Sequence, residues 1–384
     1  MSNRKDQNFQ PPVYAALALA FSSFGDAFLY PFLPLHGKNL GMTVAWIGTL
    51  LSINRFARIF TNAIVARACG IYGFRLVTVV AVLLAIFSTA GYAFASGMGA
   101  WVLCRICWGL SYSVLRLSAI AYSLDHERQG FSLGLSKSIQ EAGPMITLIA
   151  APFLFQMDVN IVFFTLAVAS IPALYFASML PPKFSVTTPF SLKRFLKFPS
   201  AFNLLTFFSA ILIEGILVVT IGVLLLSYSD NISILEASIL AAFYLGYRRV
   251  CLIIFSPFGG WIADRYGLER VFVVSFALFL SGLFLLTSGW IEAGAIIIFA
   301  FYSVLSALTP GAVSSTRELP VEAVSENATW RDVGAALGTL AGGLLLASQH
   351  VLISILSCTI LLSILFLYYT ATLDRPFKYW MTWR

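Results

Sequence analysis

The amino-acid sequence predicts an all-α integral membrane protein with twelve transmembrane helices, arranged as two pseudo-symmetric bundles of six. Hydrophobic residues make up 59% of the 384 residues and charged residues only 11%, against roughly a quarter charged in soluble domains. The hydrophobic residues form long runs, and at about 32 residues per span and loop the chain has room for ~12 spans. A weak similarity between the two halves of the chain supports the division into two bundles.

The apolar runs fall into two sets of six, separated by a polar and basic segment. The first set lies near 13–35, 44–68, 75–97, 98–124, 129–156 and 159–181. The second set lies near 200–228, 233–262, 270–290, 293–315, 330–348 and 350–373. The sequence therefore predicts a first bundle over residues 1–181, a cytoplasmic linker over 182–199 and a second bundle over 200–384.

Basic residues outside the runs collect on one side of this topology. If the N-terminus is cytoplasmic, the outer loops hold Lys38 alone. The inner side then holds Arg4, Lys5, Arg67, Arg75, Arg128, Lys183, Lys193, Arg194, Lys197, Arg265, Arg270, Arg317, Arg331, Arg375, Lys378 and Arg384. By the positive-inside rule both termini face the cytoplasm, and we expect a bacterial inner-membrane protein. The net charge of +7 reflects this topology and does not indicate nucleic-acid binding.

Ionisable residues also occur inside the apolar runs. A charged side chain at bilayer depth costs several kcal/mol unless it faces protein or water, so each of these residues is a candidate functional residue. They are Asp26, Arg55, Arg58, Arg105, Arg116, Lys137, Glu141, Glu214, Arg248 and Arg249. The pattern predicts a water-filled interior lined by these groups.

The two halves share short sequence matches. Tyr112–Leu115 in the fourth span recurs as Tyr302–Leu305 in the tenth. Three further pairs correspond at the same or nearly the same offset: Arg55 with Arg249, Gly73 with Gly267, and Asp26 with Glu214. Such internal repeats are typical of secondary transporters.

A loop motif follows the eighth span. Gly260, Asp264, Arg265, Gly267 and Arg270 match the pattern G-x-x-x-D-R-x-G-x-x-R, which resembles the cytoplasmic loop signature of the major facilitator superfamily. Glycines permit a tight turn, and a carboxylate or guanidinium can form a charge-assisted contact with a neighbouring helix end. The resemblance implies the fold of that superfamily, with this motif acting as a gate.

The first-half copy of the motif, over residues 66–75, has Gly70 where the acid belongs, which puts a gate contact there in doubt. In the fourth span, Arg105 and Gly109 resemble the R-x-x-x-G signature that the superfamily often ties to proton coupling. Tyr112 and Arg116 follow at helical spacing and share that face. A purely structural role for the two arginines is the alternative.

Small residues suggest close helix packing in the fifth and eleventh spans. Part of the superfamily's antiporter signature is matched in the fifth span by Gly130, Gly143 and Pro144. The eleventh span keeps the glycine spacing of that signature, without the proline, at Gly334, Gly338, Gly342 and Gly343. Helix packing alone explains such spacing equally well.

The remaining charges suggest pairs. Lys137 and Glu141 lie one helical turn apart and can form an ion pair. Arg55 and Arg58 share a face of the second span. Since Arg248 and its neighbour Arg249 point about 100° apart, we expect only one of them to line the cavity.

The sequence thus favours a secondary transporter without enzymatic activity and without a cofactor or metal site. It has three scattered histidines and no phosphate-binding Gly-Lys-Ser/Thr loop. We expect a monomer that binds a small-molecule substrate, protons and the lipid bilayer. Asp26 is the first choice for the proton carrier, ahead of Glu141 and Glu214, with Arg105 as its partner.

Basic groups outnumber acids in the predicted interior, which favours a substrate with carboxylate or phosphate groups, such as an organic acid or a carboxylate-type siderophore. The expected substrate contacts are Arg55, Tyr112, Arg116, Lys137 and Arg249. Proton-coupled export is the preferred hypothesis for the direction of transport. Proton-coupled uptake of an organic anion and a non-transporting membrane sensor are the alternatives.

Overall fold

The computed structural model of the chain describes residues 7–37, 40–185, 199–228, 234–315, 319–345 and 350–372. The topology predictions for Lys38, Asp230 and Arg317, for most of the linker and for the two chain ends fall outside these residues. The first six helices are α1 (Gln10–Ser22 and Phe24–His36), α2 (Val44–Tyr72), α3 (Phe74–Phe94), α4 (Met98–Leu124), α5 (Gln129–Leu154) and α6 (Val159–Ala169 and Pro172–Ser178). The second six are α7 (Ala201–Ala210, Ile211–Ile216 and Leu217–Tyr228), α8 (Ile234–Tyr266), α9 (Leu268–Thr287), α10 (Ile291–Ser315), α11 (Pro320–Leu345) and α12 (Val351–Ala371).

Local sequence signals set the helix boundaries. The side chains of Thr43, Asp158 and Ser200 cap α2, α6 and α7 by accepting hydrogen bonds from backbone N–H groups of the first turn. Without a cap these N–H groups have no acceptor within the helix. Gly73 and Gly267 each form a one-residue turn between consecutive helices, with φ of +83° and +97°, a conformation that glycine adopts most readily. The two glycines occupy equivalent places in the two halves, as the repeat predicted. We call the end of the protein that carries them the turn end.

The two six-helix halves meet mainly along two helix pairs, α2 with α11 and α5 with α8. In the second pair the backbones approach closely, because a Cβ atom at Gly134 would collide with the carbonyl oxygen of Ser256. In the first pair, Val321 and Val324 at the start of α11 join the hydrophobic core of the first half. Helix pairs of this kind position side chains from both halves around one central space.

The central space is closed at the turn end and accessible from the opposite end. Ile120 and Leu133, which line it near the turn end, are 7% and 3% exposed, whereas Ile149 at the far end is 62% exposed. Among the described residues, a Cβ atom at Gly48 in α2 or at Gly246 in α8 would meet no other atom within 4 Å. The described residues therefore have the two halves packed together at one end and separated at the other.

Nine of the helical spans within the described ranges are long and apolar enough to cross a membrane by length and composition. The other three, α2, α5 and α11, carry Arg55, Lys137, Glu141 and Arg331. These three helices belong to the pairs that join the halves. Because they face protein and the central space, they tolerate charges that a helix surrounded by lipid does not.

The predicted eleventh span was wrong at its start. The sequence placed it at 330–348 and assigned Arg331 to a cytoplasmic loop, whereas α11 begins at Pro320 and carries Arg331 near its middle. The first turns of α11 contain the acidic residues Glu322 and Glu326, and the predicted span left these turns out. Proline is favoured in the first turn of a helix, and Pro320 was the signal for the true start.

Candidate functional site

A cavity of about 840 Å³ lies between the two halves, within the size range of small-molecule sites. Its lining includes seven cationic side chains and three carboxylates, together with aromatic and aliphatic groups. The cations are Arg55, Arg58, Arg116, Lys137, Arg248, Arg249 and Arg331, and the carboxylates are Asp26, Glu141 and Glu214.

Asp26 and Arg105 form an ion pair between α1 and α4. Arg105 is fully buried, and its guanidinium also donates hydrogen bonds to the carbonyl oxygens of Leu50 and Leu51 at 3.0 and 3.1 Å. Only the Asp26 side chain, 17% exposed, lines the cavity. The expectation that Arg105 lines the cavity was therefore wrong: it lies behind the carboxylate and holds it against α2.

Asp26 lies just beyond an interruption of α1. The helix breaks at Ser23, whose hydroxyl donates a hydrogen bond to the carbonyl oxygen of Ala20 at 2.7 Å. α5 crosses α1 at this break, and a Cβ atom at Gly143 would collide with that same carbonyl oxygen. The next residue, Pro144, lines the cavity. The glycine and proline of the partial antiporter signature therefore lie at the α1–α5 crossing, close to the proton-carrier candidate.

Glu141 links the two halves through an ion-pair triad. Lys137 donates to one carboxylate oxygen at 2.7 Å, as the helical spacing predicted. Arg249 of α8 donates to the other oxygen at 3.0 Å. Ser138 of the same α5 face adds a hydrogen bond to the carbonyl oxygen of Ile253 in α8, at 2.7 Å.

Glu214 occupies a short π-helical segment of α7, residues Ile211–Ile216. Such π-bulges occur frequently at functional sites. The carboxylate accepts a hydrogen bond from the Tyr302 hydroxyl at 2.9 Å and lies 3.9 Å from the guanidinium of Arg331. Both predicted counterparts, Asp26 and Glu214, thus lie where their helices depart from regular α geometry.

Asp332 is a candidate site residue that the sequence analysis missed. It is 1% exposed and forms ion pairs with Arg58 of α2 at 3.2 Å and with Arg331 at 2.9 Å. Asn62 of α2 donates to its second oxygen at 3.3 Å, and the Ser325 hydroxyl of α11 donates to the Asn62 carbonyl at 2.9 Å. Because the predicted eleventh span began too late in the sequence, Asp332 lay at the predicted membrane boundary and was not among the charged residues assigned to the interior.

Three lining arginines have no carboxylate within ion-pair distance among the described residues. Arg55 donates to the Ala335 carbonyl and to the Thr339 hydroxyl of α11, at 3.2 and 3.0 Å. Arg248 lies over the ring of Tyr302, 6.0 Å from its centroid. The third is Arg116 of α4.

Arg248 and Arg249 both line the cavity, so the expectation that only one of them does was wrong. Arg249 crosses to the first half, where it binds Glu141, while Arg248 turns toward Tyr302 of its own half. Two long side chains 100° apart on one helix can both reach a wide cavity. Tyr112 also lines the cavity, beneath the guanidinium of Arg58 at 4.7 Å.

The loop motif joins the halves at the turn end. The Asp264 carboxylate accepts hydrogen bonds from the backbone N–H groups of Gly130 and Phe131 at 2.7 and 2.8 Å. These donors lie at the N-terminus of α5, where unpaired N–H groups and the helix dipole favour an anion. Gly260 and Gly130 pack backbone to backbone beside this contact.

The other motif residues make no contact of this kind. Arg265 and Arg270 are exposed, and neither forms an ion pair within the described parts of the chain. In the first half, where Gly70 replaces the acid, α2 and α11 instead join through the Asp332 network.

The glycines of α11 pack against α7. A Cβ atom at Gly334 would collide with the Phe207 carbonyl oxygen, and one at Gly338 with the Ile211 carbonyl oxygen. At Gly342 it would lie 3.1 Å from the Val219 side chain. The stripe thus fixes α7, with Glu214, close to α11, with Arg331. Among the described residues, no group of three or more His, Cys, Asp or Glu side chains is placed to hold a metal ion.

Comparison with known proteins agrees with this architecture. The sequence profile described as "Major Facilitator Superfamily" matches residues 15–204, about half of the chain. No curated protein sequence matches the chain significantly.

Several solved structures resemble the whole chain. The human organic anion transporter MFSD10 (TETRAN) is similar with a TM-score of 0.68 and 16% identity, over 94% of this chain and 97% of that one. A bacterial homologue of the iron transporter ferroportin, in its outward-facing state, gives 0.68 and 14% over 95% and 100%. The E. coli fucose:proton symporter gives 0.70 and 12% over 96% and 98%. With its two six-helix halves and the profile match, the chain belongs to the major facilitator superfamily and is a multi-pass membrane protein of the secondary transporter class.

Proposed function

We propose that the protein is a proton-coupled transporter of organic anions that works by export in exchange for protons. The excess of cationic over anionic side chains in the central cavity carries the proposal, because buried charge must be compensated by a partner. An anionic substrate supplies that partner. The chain shares its fold with an organic anion transporter, so this fold is compatible with the proposed substrate class.

The two bundles, residues 1–181 and 200–384, rock about the cavity while the 182–199 segment joins them. The turn end faces the cytoplasm of a bacterial inner membrane, and both chain ends lie on that side, as the distribution of loop cations indicates. On this topology the cavity is open to the outside. Cysteines introduced at Lys38 and Asp230 should react with a membrane-impermeant reagent applied to intact cells, and one introduced at Lys193 should not. Labelling at Lys193 from outside contradicts the topology.

Asp26 carries the proton. Its carboxylate faces the cavity on one side and the fixed guanidinium of Arg105 on the other. Protonation removes the negative charge and so weakens the ion pair, while Arg105 keeps its two bonds to carbonyl oxygens of α2. A movement that separates α1 from α4 therefore favours loading of the proton, and their approach favours its release.

The tight α1–α5 crossing at Gly143 supports export, because it matches the superfamily's antiporter signature in part. Everted membrane vesicles incubated with a panel of radiolabelled organic acids in the external medium test this direction. An imposed pH gradient, acidic inside, should drive accumulation of the substrate in vesicles with the intact protein. Accumulation only in right-side-out vesicles with an inward proton gradient would instead establish uptake by symport, and no transport in either orientation would favour the sensor reading.

A further inference from the structure

Among the described residues, the side chains in and around the cavity carry four more positive than negative charges. The lining holds seven cations and three carboxylates, and the buried residues behind it, Arg105 and Asp332, add one charge of each sign. A cation in a partly dehydrated cavity is stabilised when an anion binds beside it. A monovalent anion would compensate one of these charges, whereas a multivalent anion compensates two or more in one binding event.

The arginines that lack an acid are distributed over both halves. Arg55 and Arg116 belong to α2 and α4 of the first half, and Arg248 belongs to α8 of the second. Arg55 is partly satisfied by two neutral acceptors of α11. Arg116 and Arg248 have no hydrogen-bond partner among the described residues, and the Nε atom of Arg248 is buried. Among the described residues, these two guanidiniums therefore line the cavity without an acceptor, which a bound anion would supply.

Glu214 lies within electrostatic reach of all three of these arginines, while Asp332 also lies near Arg116 and Glu141 near Arg248. Glu214 interacts with Arg331, Arg248 and Arg55, and Arg116 lies close enough to interact with it as well. A carboxylate tethered among arginines competes with any substrate carboxylate for the same donors. Its neutralisation should therefore strengthen binding of an anion.

We infer that the substrate is a multivalent organic anion, with at least two carboxylate or phosphate groups, which bridges Arg116 of the first half and Arg248 of the second in competition with Glu214. This inference rests on the proposed function and sharpens it. An anion that binds both halves at once also explains how substrate occupancy couples to their relative movement.

Binding of small carboxylates to the purified full-length protein tests the inference. Citrate, succinate and acetate are compared by isothermal titration calorimetry at neutral pH, with ionic strength held constant by sodium chloride because salt screens charge. We expect citrate to bind more tightly than succinate, and acetate to bind weakest. Arg116→Gln and Arg248→Gln should each lower citrate affinity about tenfold, the value of one charge-assisted contact. Arg67→Gln, at an exposed arginine outside the cavity, is the matched control.

Glu214→Gln should raise citrate affinity, and because this change has the opposite sign it cannot be mistaken for loss of folding. Equal affinity for acetate and citrate, no citrate binding at millimolar concentration, or a citrate preference that survives Arg116→Gln combined with Arg248→Gln would overturn the inference. Failure of proton-driven transport together with a citrate preference would instead count against the proposed coupling and leave the inference standing.

Discussion

The contact between Asp264 and the start of α5 allows the free-energy loss in the variant Asp264→Asn to be predicted. The carboxylate accepts two backbone hydrogen bonds, at 2.7 and 2.8 Å. Bonds to a charged group are worth about 1.5–3 kcal/mol each, and the helix dipole adds roughly 0.3–1 kcal/mol. Because Asp264 is exposed, the lower ends of these ranges apply. Asp264→Asn keeps one acceptor oxygen and loses the charge, so we expect a loss of about 1–2 kcal/mol.

A loss of this size changes an equilibrium constant about 5–30-fold. Asp264→Asn should therefore shift the protein away from the arrangement that is closed at the turn end. Spin labels at Glu127→Cys and Glu269→Cys, two exposed sites on opposite halves at that end, measure the separation in a background without the native cysteines. The variant should show a larger population at long distances and slower transport, with the protein still inserted in the membrane.

Asp264→Glu is the matched control, since it keeps the charge and changes only the length of the side chain. It should retain more of the closed population than Asp264→Asn. An unchanged distance distribution together with normal transport in Asp264→Asn would refute the reasoning and make the motif a remnant of duplication.

Three other substitutions test separate features. Asp26→Asn should abolish proton-driven transport while substrate exchange persists, and wild-type pH dependence of transport in this variant would exclude Asp26 as the carrier. Asp332→Asn should weaken the buried α2–α11 junction and lower the melting temperature, because Arg58 and Arg331 then lack the carboxylate that pairs with them. An unchanged melting curve together with unchanged transport would contradict a structural role of Asp332. Gly338→Val should also lower the melting temperature, because the added side chain overpacks against Ile211 at a cost of about 1–3 kcal/mol. Gly343→Val is the control and should not lower it, since the added side chain meets none of the described residues. Equal melting temperatures of the two variants would count against the packing argument.

The sequence predicted the local relationships well, because these depend on spacing along one helix or on a single residue. The Lys137–Glu141 pair follows from a four-residue separation. The turns at Gly73 and Gly267 follow from a motif repeated at a constant offset. Charges within apolar runs pointed to a central cavity, since only protein or water can accept them.

The sequence could not predict which side chains meet across the halves. Arg249 reaches Glu141 and Arg58 reaches Asp332 over separations of 108 and 274 residues along the chain, and no periodicity encodes such pairs. Nor could a helical face distinguish Arg105 from Arg116, which lie on the same side of α4. Their different surroundings, α2 backbone for one and open cavity for the other, depend on how α1 and α2 pack at each depth.

The sequence by itself therefore determined the membrane class, the division into two halves and the set of charged residues to consider, because the cost of burying polar groups in lipid acts on each segment separately. Only the tertiary structure decided which charges are neutralised within the protein and which lack a carboxylate partner among the described residues. That outcome depends on distances of a few ångströms between different helices, and these are fixed by packing, by the glycine contacts of α5 and α11 and by the breaks in α1 and α7.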